Sequence, residues 1–282
     1  MKQYKNISEI AKSFGVTKGD FIYLSSDIMA LAFITKKNEG IFDANKIIDC
    51  FIDEITEEGT LVIPTFNFDF SNIGFYDIKK TKCTTGALGN VALERPDFKR
   101  TRNPMHSFAV WGKYQDILCN IKNNNSFGKD SPFAFMYNNN AIQIMLGTDY
   151  QRSMTFVHYV EAEAKVPYRF LKEFSGTYVD EFGNGRQIRI EYPARYYEYG
   201  SVEKFNRIGS ILEQNNISDV IYFNDIKSYK VKLNPSYEYI FSDAVNNQCR
   251  NLYDFSVDRS LIWKWFKVGV KSHYNGSCPF CC

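Results

Sequence analysis

The sequence predicts an α/β fold: a single-domain mixed sheet flanked by helices, with a small β-hairpin inserted. Three observations carry this. A buried strand, an amphipathic helix and a second buried strand follow one another between residues 21 and 63. Further short apolar runs recur down the chain, several closed by glycine. No linker, repeat or low-complexity stretch divides the 282 residues, a length that one large α/β domain fills. The domain is placed at residues 1–255, with residues 256–282 as a C-terminal tail.

Ser8 is placed as the N-cap of a short helix that turns Ile10 and Phe14 inward. After the Gly19-Asp20 turn, Phe21-Ile22-Tyr23-Leu24 reads as a buried strand ending at Ser25-Ser26. Asp43 is placed as the cap of the clearest helix, whose apolar face is Ala44, Ile47, Ile48, Phe51, Ile52 and Ile55. That spacing is the stripe a 3.6-residue helix lays against a core. Gly59 breaks the chain, and Thr60-Leu61-Val62-Ile63 forms a second strand that Pro64 stops. Strand, helix, strand predicts a right-handed parallel crossover. Residues 107–111, closed by Gly112, and 141–146, closed by Gly147, read as two more strands. Ser153 is placed as the cap of a helix from Met154 to about Ala164. Tyr178-Val179 and Ile188-Arg189-Ile190 flank Gly183-Asn184-Gly185, whose Asn-Gly step favours a hairpin turn. A helix is expected from Val202 to Leu212.

Hydrophobic residues make up 44% and charged residues 23%, so a sizeable core is expected and disorder is not. With 24 Phe and 19 Tyr, that core should be rich in rings. Lys and Arg number 34 against 32 Asp and Glu, a net charge of +2. This balance argues against a nucleic-acid binder, whose affinity rests on clustered cations. No apolar run reaches the roughly 18 residues of a membrane span. The opening Met1-Lys2-Gln3-Tyr4-Lys5-Asn6 has no apolar signal-peptide core, so none is expected. Seven scattered cysteines, an odd number, are expected to stay reduced in a cytoplasmic protein.

The chain has three histidines, His106, His158 and His273. Residues three apart on a helix lie about 60° apart around its axis, so Thr155, His158 and Glu161 share one face. An imidazole accepts a proton near neutral pH. A carboxylate beside it fixes its tautomer and steadies the cation, and a hydroxyl can hold an acyl carbonyl. General-base chemistry on an amine needs these three groups. The same spacing also describes an amphipathic helix with a core histidine bonded to a glutamate. His106-Ser107 opens a strand after the polar run Arg100-Thr101-Arg102-Asn103-Pro104. Open α/β sheets bind ligands at strand ends near a switch point. His106 and Ser107, like Ser25-Ser26, are therefore either cleft residues or loop groups satisfied by backbone.

Six segments in order carry a resemblance. They are Gly19-Asp20 with its strand and Ser25-Ser26; Glu58-Gly59-Thr60-Leu61-Val62-Ile63-Pro64-Thr65-Phe66; and Thr85-Gly86-Ala87-Leu88. Then come Arg102-Asn103-Pro104-Met105-His106-Ser107-Phe108-Ala109; Phe127-Gly128-Lys129-Asp130-Ser131-Pro132; and Thr155-x-x-His158-x-x-Glu161 with Pro167-Tyr168-Arg169. Together they resemble the aminoglycoside 3-N-acetyltransferase family, also called the antibiotic N-acetyltransferases, over roughly residues 15 to 215. The resemblance implies that family's own α/β fold, acetyl-CoA as donor with no metal, and direct transfer in a ternary complex. It implies His158 as base, Glu161 as its partner and Thr155 at the thioester. It implies Ser25, Ser26, His106, Ser107 and Phe108 against the pantetheine arm or acetyl group. Two segments depart from the family pattern: Asn103-Pro104 replaces its His-Pro, and Lys36-Lys37-Asn38-Glu39-Gly40 replaces its paired glycines.

The acceptor is expected to be a small-molecule amino sugar. Polycationic drugs call for an acidic groove. Lys36-Lys37, Lys79-Lys80 and Lys99-Arg100-Thr101-Arg102 make this chain slightly basic instead. That favours a nucleotide-linked or polysaccharide-precursor amino sugar, with an aminoglycoside antibiotic as the alternative; coenzyme A's own phosphates also ask for cations.

Two rivals differ in kind. Cys83, before Thr84-Thr85-Gly86, is the best nucleophile for a Cys–His acyltransferase working through a thioester. His273 with Cys278, Cys281 and Cys282 offers zinc ligands for a metal-dependent interaction module. Trp263, Trp265 and Phe266, with Lys264 and Lys267, read as a membrane-surface contact or as a packed element. The sequence leaves the oligomeric state and the position acetylated open.

Overall fold

The computed structural model describes residues 4–267. Its strands are β1 (Phe21–Ser26), β2 (Thr60–Pro64), β3 (Phe75–Asp77), β4 (Lys99–Arg100), β5 (Phe108–Gly112) and β6 (Ile142–Leu146). They continue with β7 (Arg169–Val179), β8 (Gly185–Arg195), β9 (Val202–Glu203), β10 (Ser218–Phe223), β11 (Ile226–Lys232) and β12 (Tyr253–Asp254). Seven of them form one sheet in the order β10-β11-β6-β1-β2-β5-β4. Central β1 pairs in parallel with β2 and β6, and the other neighbours are antiparallel. The sheet is mixed, as expected, and the β1-to-β2 connection is the expected parallel crossover.

Helices cover both faces because the strands are apolar on both. On β1, Phe21 and Tyr23 join one core cluster and Ile22 and Leu24 the other, the alternation of a pleated strand. The Asn45–Ile55 helix buries Ile47, Ile48, Phe51 and Ile55 against the second face. The Asp43 carboxylate accepts from the Asn45 N–H at 2.9 Å at its start. The Phe156–Glu163 and Leu233–Asn246 helices pack on the first face.

Several boundaries differ from the sequence expectation. The first turn is capped by Asn6, whose Oδ1 accepts from Ser8 N at 3.0 Å while Glu9 accepts from Asn6 N at 2.9 Å. Ile10 and Phe14 are buried as expected. Ser153 caps nothing: Asp149 accepts from the Arg152 N–H and starts a short turn, Tyr150–Ser153. The next helix begins only at Phe156, with Thr155 at its N-cap position. Val202-Glu203 is a strand, and the helix expected there spans Phe205–Gln214. The hairpin is longer than its signal, with β7 and β8 pairing antiparallel over their whole lengths and β3 adding in parallel to β7. The Met29–Glu39 helix was not expected, because Met29 and Phe33, 75% and 73% exposed, face outward and Leu31 alone of its large apolar residues is buried.

Residues 259–267, assigned to the tail, begin as a packed helix. Ile262 is buried, and the Trp263 ring lies 5.9 Å from that of Tyr168. His273, Cys278, Cys281 and Cys282 lie outside the described residues, as do the side chains of Trp265, Phe266 and Lys267.

Candidate active site

The topology collects the chemistry at one edge of the sheet. β1, β2 and β6 run parallel, so Ser25-Ser26, Pro64 and Leu146 end together. β5 runs against β2, so its start meets the end of β2, where Pro64 pairs with Phe108. Thr65 N donates to Ser107 O at 2.9 Å across that junction. His106 therefore arrives beside Ser25, although some eighty residues separate them in the chain.

The Phe156–Glu163 helix supplies the second side. His158 Nδ1 lies 2.7 Å from Glu161 Oε2, one helical turn on. The Glu161 side chain is fully buried. It also accepts from Tyr168 OH on Oε1 and pairs with Arg169 Nη2 at 2.9 Å. Arg169 in turn donates to Tyr253 OH at 2.8 Å and to Pro193 O at 2.6 Å. Burial alone would push the Glu161 carboxyl up, but Arg169, His158 and Tyr168 outweigh it and hold the group at about 2. The carboxylate is thus ionised and accepts the Nδ1 proton, which leaves the His158 Nε2 lone pair free. Burial and the Arg169 charge lower the His158 pKa against the opposing pull of Glu161. A neutral imidazole with a free nitrogen can accept a proton.

His106 is 2% exposed and ringed by Phe66, Phe68 and Phe127 at 4.7–5.3 Å, with Tyr192 stacked at 5.8 Å. Burial, then the neighbouring His158, drive its pKa down to about 3, so the ring is neutral. Asn103 Oδ1 accepts from the N–H groups of Met105 and His106 at 3.0 and 2.9 Å and fixes the turn that presents it.

A cavity of about 220 Å³ opens on this edge, and its wall includes Ser25, Ser26, His106, Thr155 and His158. Ser107 and Phe108 are not on that wall. Ser107 Oγ is buried among Thr65, Arg100 and Tyr76, and the Phe108 ring is packed behind Phe66 and Tyr23. The sequence missed other lining residues: Tyr23, Arg152 and Tyr192. Tyr23 was within reach of the alternation along β1, whereas Tyr192 comes from a distant hairpin with no local signal. Gly89 also lines the cavity, and a Cβ there would fall 2.4 Å from Pro64 O, so only glycine lets this helix approach β2.

A second cavity, about 670 Å³, lies beyond His158, walled by Arg169, Arg195, Tyr196, Tyr197 and Glu203. His158 and Tyr192 line both cavities. Cys83 is buried; its sulfur faces Pro64 O and Thr85, and it lines neither cavity. Among the described residues, no group of three or more His, Cys, Asp or Glu could hold a metal ion. None of the described helices is long and apolar enough to cross a membrane.

The aminoglycoside 3-N-acetyltransferase family model matches residues 34–241. The SPbeta prophage-derived aminoglycoside N(3')-acetyltransferase-like protein YokD of Bacillus subtilis (strain 168) is 24% identical over 271 residues, 88% of this chain and 94% of its own. The crystal structure of YokD has a TM-score of 0.70, covering 87% of this chain and 94% of YokD at 21% identity. The AAC-IIIb binary complex with CoASH has a TM-score of 0.69 at 15% identity, over 86% and 95% of the two chains. Sisomicin-bound AAC-VIa has a TM-score of 0.72 at 15% identity, over 87% and 99%. The class so defined is the acetyl-CoA-dependent N-acetyltransferases. Within it, the chain belongs to the aminoglycoside 3-N-acetyltransferase family.

Proposed function

We propose that this protein transfers acetyl from acetyl-CoA directly to an amine of an amino sugar, with His158 as general base. The observation that carries this is the position of His158, on the wall of both cavities with Nδ1 tied to a buried carboxylate. The smaller cavity takes the acetyl thioester, against Ser25, Ser26, His106 and Thr155. Ser107 and Phe108 act behind the wall, holding its shape. The larger cavity takes the acceptor. The amine nitrogen attacks the thioester carbonyl carbon while His158 Nε2 removes a proton from it. The oxyanion is steadied by Thr155 and nearby backbone N–H groups. Collapse breaks the C–S bond, and the thiolate of coenzyme A takes up the proton that His158 held. No bond to the enzyme forms. Four described cysteines are free and buried, which suits the reducing cytoplasm where we place the protein.

The acceptor we favour is a nucleotide-linked or polysaccharide-precursor amino sugar. In the larger cavity Arg169 is paired with Glu161, and Arg195 with Glu203 at 2.6 Å. Among the described residues, Glu198 is the only further acid on that wall, too little negative charge for a polycation. Tyr192, Tyr196 and Tyr197 offer rings to a sugar or base. The second reading, an aminoglycoside antibiotic as acceptor, is favoured by the family itself. A free-thiol release assay with acetyl-CoA and a panel of both acceptor classes separates them. Turnover of several aminoglycosides and of no nucleotide-linked amino sugar would overturn our preference. Near-wild-type transfer by a folded His158→Ala variant would overturn the base.

A further inference from the structure

Arg169 Nη2 has three polar neighbours within hydrogen-bond reach. They are Glu161 Oε2 at 2.9 Å, the Tyr253 hydroxyl at 2.8 Å and His158 Nδ1 at 3.0 Å. That nitrogen carries only two protons. His158 Nδ1 is itself 2.7 Å from Glu161 Oε2, and between an ionised carboxylate and a ring nitrogen the shared proton belongs to the ring. Both guanidinium protons therefore go to oxygens, one to Glu161 and one to Tyr253. Without the Tyr253 oxygen, the remaining acceptor of the three for that second proton is Nδ1, the nitrogen that has to keep its own proton for Glu161.

The guanidinium has few other ties. Nη1 donates to Pro193 O at 2.6 Å, and Nε is buried with no partner. The planar fork is thus oriented by its two ends alone. Tyr253 is fully buried and lines neither cavity. It stands on β12, which pairs with β9 at Glu203, and Arg259 Nη2 donates to its carbonyl at 2.7 Å. Its ring packs on Tyr168 at 5.0 Å and edge-on to Phe205 at 5.6 Å, and Phe205 meets the His158 ring at 5.7 Å. Tyr253 and Arg259 lie past residue 241, where the family match ends.

We propose that Tyr253 is a positioning residue for the proton transfer: by accepting one Arg169 proton it keeps the guanidinium from competing for His158 Nδ1, and so holds the imidazole with its Nε2 lone pair free. This rests on the reading of His158 as the base. No proton passes through Tyr253, and it touches no substrate. A short strand near the C-terminal end of the described chain thereby takes part in arming the base.

The test uses the full chain with Tyr253→Phe, which removes one oxygen and keeps the ring, with Glu161→Gln, and with the double variant, all assayed below their melting points. Thiol release gives kcat and KM. Proton NMR follows the low-field resonance of the His158 Nδ1 proton, assigned by its absence from His158→Ala. Tyr253→Phe should lower kcat about tenfold, the effect of one hydrogen bond, with KM for acetyl-CoA and for the amine unchanged. It should also move the Nδ1 resonance upfield as the bond to Glu161 weakens. In the Glu161→Gln background, where Nδ1 has already lost its carboxylate, Tyr253→Phe should cost nothing further. Wild-type kcat with an unmoved resonance in Tyr253→Phe refutes the proposal. A lowered kcat with an unmoved resonance, or a full extra loss in the double variant, refutes it as well and marks Tyr253 as structural only. A moved resonance with wild-type kcat overturns it together with His158 as the base. No transfer by the wild type overturns the acetyl-transfer reading itself, and the resonance alone then shows whether Tyr253 holds the imidazole.

Discussion

Glu161→Gln removes one charge from the most enclosed part of the site, and its two consequences can be worked out separately. The wild-type carboxylate serves His158 Nδ1 at 2.7 Å, Arg169 at 2.9 Å and the Tyr168 hydroxyl, and is fully buried. Glutamine keeps the shape but leaves the buried Arg169 without its counter-charge, and breaking one side of a buried pair costs about 3–5 kcal/mol. The depressed pKa gives a consistent figure. Holding the carboxyl at about 2 against an ordinary 4.5 corresponds to roughly 3 kcal/mol at neutral pH. The sign follows from a folded-state pKa below the unfolded one. The contribution is complete above about pH 5 and is lost as pH falls toward 2. At about 2–4 °C per kcal/mol, the variant should melt roughly 6–20 °C lower at pH 7, with the gap narrowing in acid. Catalysis should fall further than stability alone explains, by on the order of 10²–10⁴ in kcat, because nothing then fixes the imidazole's tautomer or steadies its cation. Calorimetry from pH 4 to 7 and thiol release measured well below the variant's melting point read the two effects. A variant with wild-type kcat and an unchanged melting point at pH 7 would refute both the pairing and its role.

Three further outcomes are expected. Because burial and Arg169 lower the His158 pKa, the acid limb of kcat/KM should reach half-maximum below pH 6.5; a limb centred above pH 7 would mean that another group is the base. Gly89→Ala should destabilise the fold by about 1–3 kcal/mol in denaturant titration, since its Cβ has only 2.4 Å to Pro64 O; an unchanged midpoint would show that the Ala87–Glu94 helix shifts freely. Cys83→Ala should keep its steady-state rate and show no burst phase, because that thiol lines neither cavity; complete inactivation would revive a thioester route.

The strands legible in the sequence were those buried on both faces. β1, β2 and β5 read as apolar runs, and β6 as one interrupted only by Gln143, stopped by glycine, proline or serine, and they stand within a residue or so of where they were expected. β7 and β8 face solvent on one side, so Lys172, Glu173, Arg186 and Arg189 interrupt their pattern and only the stretch near the turn showed. β10 and β11 are joined by Asn224-Asp225, both with positive φ, a two-residue turn; the Val220-Ile221-Tyr222-Phe223 run before it was not expected as a strand, and Lys227, Lys230 and Lys232 dilute the apolar pattern after it. The three-residue spacing placed His158 against Glu161 because that contact lies within one helix. Tyr168 and Arg169 complete the carboxylate's shell from the next strand, a long-range contact that spacing cannot encode. At the start of β5, one side chain reaches the cavity and the next turns away, which separates His106 from Ser107.

The β7–β8 ribbon carries Arg169 on one strand and, directly across its base, Arg195, with Tyr192 a little further along. Arg169 pairs with the buried Glu161 carboxylate, while Arg195 and Tyr192 line the larger cavity. In a two-residue repeat, slipping the pairing by a single position would turn Arg195 away from the face it shares with Arg169. Insertions are thus confined to the exposed Asp180–Asn184 loop and must preserve alignment at the base. On the proposed function, acceptor range can drift by single substitutions at cavity positions such as 196 or 197, whereas remodelling the ribbon's length near its root would disturb the Arg169–Glu161–His158 contacts and reshape the cavity together.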